Sequence, residues 1–145
     1  MIAVDSNILV YAHRQESPFH EIARSKLSEL AEGGRLWAIP WPCIHEFFSV
    51  VTHSRIFGIP TPLDLALAQV ETWLAGPRVQ TIGETPGYWS ILKNILQQGK
   101  ISGPKVHDAR VVAICVQNGV TVLWSADRDF SRMSGIEVVN PLVGS

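Results

Sequence analysis

The chain has 145 residues, 46% of them apolar and 17% charged, with a formal net charge of −1. That composition excludes a disordered or fibrous chain and suits one globular domain spanning 1–145, able to bury roughly two-thirds of the surface its unfolded form exposes. A plain electrostatic nucleic-acid binder is normally basic, but neutralising four of the 13 acids would leave a balance of +3 against the 12 lysines and arginines.

Ile2-Ala3-Val4 is a short apolar run followed at once by the turn formers Asp5-Ser6-Asn7, which predicts a buried strand with Asp5 at its carboxyl end. Asp5 and Asn7 stand where a signal peptide would need its basic and apolar regions, so the cytoplasm is the expected compartment. Ser17-Pro18 predicts a helix start, Phe19, Ile22, Ala23, Leu27 and Leu30 supply its apolar stripe, and Gly33-Gly34 ends it. A second strand is predicted over Leu36 to Ile39, leading through Pro40 and Pro42 into a helix with Ile44, Phe47, Phe48 and Val51 on its core face. Thr61-Pro62-Leu63-Asp64 opens another helix, which runs to Leu74 before Gly76-Pro77. Val79 to Ile82 is a third strand, and Thr85-Pro86 begins a helix that ends at Gly99. The pattern is helical again from Pro104 to Asn118; its six-residue aliphatic run, Val111 to Val116, falls far short of the roughly 18 residues of a membrane span. Val120 to Trp124 and Ile136 to Val139 complete five strands. Cys43 and Cys115 have neither metal-ligand nor disulfide spacing and are expected as small core residues.

Strands alternating with helices of this length predict an α/β fold, a mainly parallel five-stranded sheet between two helical layers, because parallel neighbours need crossover connections. Ligands in such folds sit beyond the carboxyl ends of the strands. Asp5 falls at that edge, although an N-cap role accounts for it equally well. Glu46 lies in the second turn of its helix, past the free N–H groups that a capping glutamate serves, at the border of the core face beside Val50. A solvated boundary glutamate is the alternative there. Asp108 has Val111, Val112 and Cys115 at +3, +4 and +7, an apolar face on which an isolated carboxylate is costly to bury. Asp127 and Asp129 follow the fourth strand, where either would also pass as an ordinary loop acid. Two acids ending strands and two on adjacent helices can converge on one point. Such a cluster, without histidine or cysteine ligands, suits Mg²⁺ or Mn²⁺ and serves phosphoryl and phosphodiester chemistry.

The opening AVDSNILVYA, the helical glutamate in WPCIHEFFSVV, the VHDARVVAIC helix and the LWSADRDF turn followed by GIEVVNPL together resemble PIN-domain ribonucleases of the VapC type, the toxins of toxin–antitoxin pairs. The resemblance runs from residue 1 to about 142. It implies a three-layer α/β/α PIN-like domain and an endoribonuclease dependent on Mg²⁺ or Mn²⁺, with Asp5, Glu46, Asp108 and Asp127 as catalytic and metal-binding acids. Asn7, Ser125 and Asp129 become accessory residues; Asp127 is favoured over Asp129 as the direct ligand. It further implies hydrolysis of RNA, usually tRNA or rRNA, by activated water with no side-chain nucleophile, a VapB-type antitoxin and a homodimer. His13, His45, Lys105, His107, Arg110 and Arg128 lie near the acids in sequence and are candidate phosphate contacts, against a plainer reading as surface or core-border residues. The tryptophans at 41, 73, 89 and 124 are expected chiefly in packing rather than base stacking. Two rivals remain: a haloacid-dehalogenase-like phosphatase, weakened because Asn7 replaces the second acid of its D-x-D motif, and a non-catalytic binding module, which must account for Asp108.

Overall fold

The computed structural model describes residues 1–143; the last two residues of the expected domain lie outside it. Five strands, β1 (Ile2–Val4), β2 (Trp37–Pro40), β3 (Val79–Ile82), β4 (Val122–Trp124) and β5 (Glu137–Val139), form one sheet in the order β3-β2-β1-β4-β5. Every neighbouring pair is parallel. Among the described residues six α-helices accompany them: α1 (Ser6–His13), α2 (His20–Glu32), α3 (Trp41–Val51), α4 (Leu63–Leu74), α5 (Tyr88–Gly99) and α6 (Val106–Gln117). The chain winds outward from β1 through β2 to β3, then crosses back to β4. Right-handed crossovers therefore set α1–α4 on one face and α5–α6 on the other, in keeping with the packing of α1 against α2 and α3 and of α5 against α6.

Several boundaries differ from those read off the sequence. α2 begins at His20 rather than at Ser17-Pro18, because the Ser17 hydroxyl accepts from Phe19 N–H in a preceding turn (3.1 Å). β2 starts one residue later than predicted and passes directly into α3, with Pro40 as N-cap and Pro42 at the second helical position. Pro104 falls in a separate 3₁₀ turn, Gly103–Lys105, with Gly103 at φ +66°, so α6 proper starts at Val106.

The core sits around β1, β2 and α6. Ala3, Val4, Trp37 through Ile39, Phe47 and Ala109 with Val111 through Cys115 are all buried. A helix buried this far round its circumference is held in place, and it fixes whatever its first turn presents. The outward direction reverses between β1 and β4, and this switch point is where the carboxyl ends of parallel strands leave a crevice.

Candidate active site

Asp5 closes β1 and caps α1 at once. Its Oδ1 accepts from Ser6 N–H at 2.8 Å, and its backbone N–H donates to the Trp124 carbonyl at 2.9 Å, tying the ends of β1 and β4 together. The capping reading of Asp5 is thus correct, and it coexists with a place in the site. Asp5 Oδ2 accepts from the Ser125 hydroxyl at 2.7 Å. Ser125, 1% exposed, also accepts from Asn7 Nδ2 (3.2 Å) and from Asp127 N–H (3.0 Å), while Asn7 Oδ1 accepts from Ala126 N–H (3.2 Å). One hydroxyl therefore joins the first and fourth strand ends. A third donor reaches Asp5 Oδ1 from α3: the Cys43 thiol at 3.5 Å.

Asp5, Glu46, Asp108 and Asp127 line a single cavity of about 280 Å³, together with Ser6, Asn7, Val10, Tyr11, Val50 and Phe57. Glu46 lines the same space as the other three acids while remaining exposed, so the reading of it as a solvated boundary glutamate also stands. Asp129 does not line it: its N–H donates to Asp127 Oδ1 at 2.8 Å, and its exposed carboxylate lies 3.7 Å from Lys105 Nζ.

The PIN-domain model matches residues 2–136. The chain belongs to the PIN-domain family. Ribonuclease VapC48 of Mycobacterium tuberculosis is 32% identical to this PIN domain over 140 residues, 97% of each chain. Two solved structures share its fold. VapBC2 from Rickettsia felis, bound to a DNA fragment from its promoter, has a TM-score of 0.68 at 18% identity over 97% of this chain and 98% of the other. VapC20 of Mycobacterium tuberculosis, a toxin that cleaves the sarcin-ricin loop, has a TM-score of 0.66 at 16% identity over 94% and 99%.

In this PIN domain the acids disturb one another. Burial pushes Asp108 up from its ordinary 3.8 to about 6, helped by the charges of Asp127, Asp5, Glu46 and Asp129. Asp5 is raised by burial and by Asp127, although Ser125, Ser6 and Cys43 oppose the shift by donating hydrogen bonds. Glu46, though exposed as a whole residue, is raised by partial desolvation of its carboxyl and by Asp5 and Asp127, against the pull of the Ser6 hydroxyl and His107. Mutually raised carboxylates in one crevice are what a divalent cation would relieve.

The donor set fits a hard ion: every acidic ligand candidate offers oxygen, and Asp108 lies in the first turn of α6. Among the described residues no three Asp, Glu, His or Cys side chains are already gathered closely enough to hold an ion. Mg²⁺ does not demand that, because it keeps several waters and uses one or two carboxylates directly.

The basic candidates separate. His107 acts electrostatically on Glu46 from the exposed start of α6; Arg128 and His45 are exposed, and Lys105 faces Asp129. Arg110 pairs with Glu84 at 2.7 Å. His13 is not brought to the cavity. Its two ring nitrogens face Gln69 Oε1 and Thr61 Oγ1, each at 3.1 Å, and its ring packs edge-on to Phe47. Trp73 packs against Phe47 as expected, whereas Trp41 and Trp89 are exposed. Sequence reasoning overlooked Cys43 as more than core filling; its place three residues before Glu46, on the same side of α3, was the available signal.

Proposed function

We propose that this PIN domain is a divalent-metal-dependent endoribonuclease of the VapC type, hydrolysing RNA phosphodiester bonds. The observation that carries the proposal is the convergence of Asp5, Glu46, Asp108 and Asp127 on one cavity at the switch point of the sheet; the VapC ribonuclease relatives supply the substrate class.

Asp5, Asp108, Glu46 and Asp127 would hold Mg²⁺ or Mn²⁺. When bound, the ion activates water and stabilises charge on the phosphate oxygens. Asp5 is the fixed member, its carboxylate clamped by donors from the start of α1, from α3 and from the residue just after β4. Glu46 and Asp108 have raised proton affinities, which positive charge in the cavity would lower. Val10, Tyr11, Val50 and Phe57 supply the apolar part of the cavity lining. His107, whose charge reaches Glu46, and Lys105, which faces Asp129, are candidate contacts for RNA phosphates, with exposed Arg128 beside Asp127 in the chain; the charge of His45 acts on Glu84, and Arg110 is paired with Glu84. Asp129 holds the Asp127 turn and attracts Lys105, an accessory role.

The VapBC neighbours support a cognate VapB-type antitoxin as partner, with a homodimer as the expected assembly. Exposed Ile56, Ile59, Leu63, Leu65 and Leu67 provide apolar surface for either. No helix of the described residues is long and apolar enough to cross a membrane.

The phosphatase reading loses its ground: the family differs, and Asn7, standing where a second acid is required, is committed to Ser125 and Ala126. The test is cleavage of a labelled structured RNA by purified protein with Mg²⁺, Mn²⁺ or EDTA, beside Asp5→Asn and Asp108→Asn. Cleavage is expected only with the metal and the intact acids; activity persisting in EDTA, or in both variants, overturns the proposal.

A further inference from the structure

A carboxylate offers about four lone-pair positions, two on each oxygen. At Asp5 three of them are taken: Oδ1 accepts from Ser6 N–H at 2.8 Å and from Cys43 Sγ at 3.5 Å, and Oδ2 accepts from Ser125 Oγ at 2.7 Å. Cys43 is fully buried, and facing a carboxylate it keeps its proton, so it can only donate. We infer that Cys43 is a positioning residue for the carboxylate centre, its thiol occupying the second lone pair of Asp5 Oδ1 so that a single position, on Oδ2, remains for a cation. The inference rests on the metal-dependent reading and adds a restriction to it: Asp5 binds through one oxygen, and α3 sets which one while also carrying Glu46.

Removing the thiol frees a position on Oδ1 and lets the carboxylate turn about its Cβ–Cγ bond. Loss of an outer-shell partner of a metal ligand typically weakens binding by 10–100-fold; a thiol is a weak donor, so about tenfold is expected here. Cys115 provides the control. It is equally buried, on α6, but has no hydrogen bond to Asp5; its truncation creates a similar void without touching the carboxylate.

The experiment titrates Mn²⁺ alone into the full chain by calorimetry, comparing wild type with Cys43→Ala, Cys43→Ser and Cys115→Ala. Cys43→Ala should bind about tenfold more weakly, Cys43→Ser should recover most of the affinity by retaining a donor, and Cys115→Ala should match wild type. Wild-type affinity in Cys43→Ala, or equal losses in Cys43→Ala and Cys115→Ala, would overturn the inference, the second by reducing it to core packing. A further readout needs no change at position 43. In Cys115→Ala protein the one remaining S–H stretching band should shift when Asp5→Asn is added; an unmoved band shows that the thiol does not donate to Asp5 and also overturns the inference. Absence of Mn²⁺ binding by wild type beside a shifting S–H band would instead defeat the metal reading, and with it the role given to Cys43.

Discussion

Asp108 shows most clearly how one residue carries the charge of the whole site. Its pKa is raised from 3.8 to about 6, first by burial and then by Asp127, Asp5, Glu46 and Asp129. A carboxyl raised in the folded state holds a proton that the unfolded chain releases, so its contribution to stability is complete below the unfolded value and is lost as pH rises through about 6. In EDTA, wild type should therefore fall behind Asp108→Asn between about pH 4 and pH 6, by on the order of 1 kcal/mol once exposure of the group is discounted. Paired thermal melts across that range check it; a constant difference between the two proteins would sink the idea. Ser125→Ala should remove about 2–3 kcal/mol, because a buried carboxylate oxygen, the Asn7 amide and the Asp127 N–H all lose their partner together. Urea unfolding measures that loss, and a change under about 0.5 kcal/mol, the range of an ordinary surface substitution, would refute it.

At the scale of elements, the loop that carries Asp127 is held by a close approach. A Cβ on Gly99, in the last turn of α5, would lie 2.6 Å from the Arg132 carbonyl oxygen, and Arg132 ends the 3₁₀ turn Asp129–Arg132 just after the site. Gly99→Ala must push backbone from backbone, which should cost about 1–3 kcal/mol and weaken Mn²⁺ binding by disturbing Asp127; a stability assay and a Mn²⁺ titration on the same variant test both parts. Residues 52–62, between α3 and α4, are tied down differently. Arg14 NH1 donates to Thr61 Oγ1 at 3.1 Å and NH2 to the Ile59 carbonyl at 2.8 Å, and the guanidinium lies 4.0 Å from the centre of the Phe57 ring. Phe57 in turn forms part of the cavity wall. Neither fastening was legible beforehand, since each joins segments more than 30 residues apart. The helices and strands were, because apolar spacing and turn residues are local properties of the chain.

For the whole molecule, four acids facing one cavity mean that folding without a cation works against repulsion. A cation that binds only the folded form stabilises it by about 2.7 kcal/mol at a hundred times its dissociation constant, which for a chain of this size corresponds to a rise of about 5–10 °C in melting temperature. Mg²⁺ or Mn²⁺ should produce that rise and K⁺ at equal ionic strength should not; Asp5→Asn should abolish the effect, which differential scanning calorimetry reads directly.

Local sequence pattern carried the order of strands and helices, the apolar faces that pack them and the placing of four acids at or beside strand ends. Asp108 among Val111, Val112 and Cys115 was conspicuous because burying a carboxylate is expensive, and Glu46 because it lies beyond the turn that a capping glutamate serves. Which groups face one another depended on how the elements pack. Periodicity assigns a side chain to a face of its own element but names no partner across the fold. Thus His13 turned to Gln69 and Thr61, Arg110 to Glu84, and Ser125 became the link between Asp5, Asn7 and Asp127. For the same reason Cys43, at first a small core residue, proved to be the thiol beside Asp5: burial follows from local pattern, whereas a hydrogen bond between β1 and α3 depends on their packing.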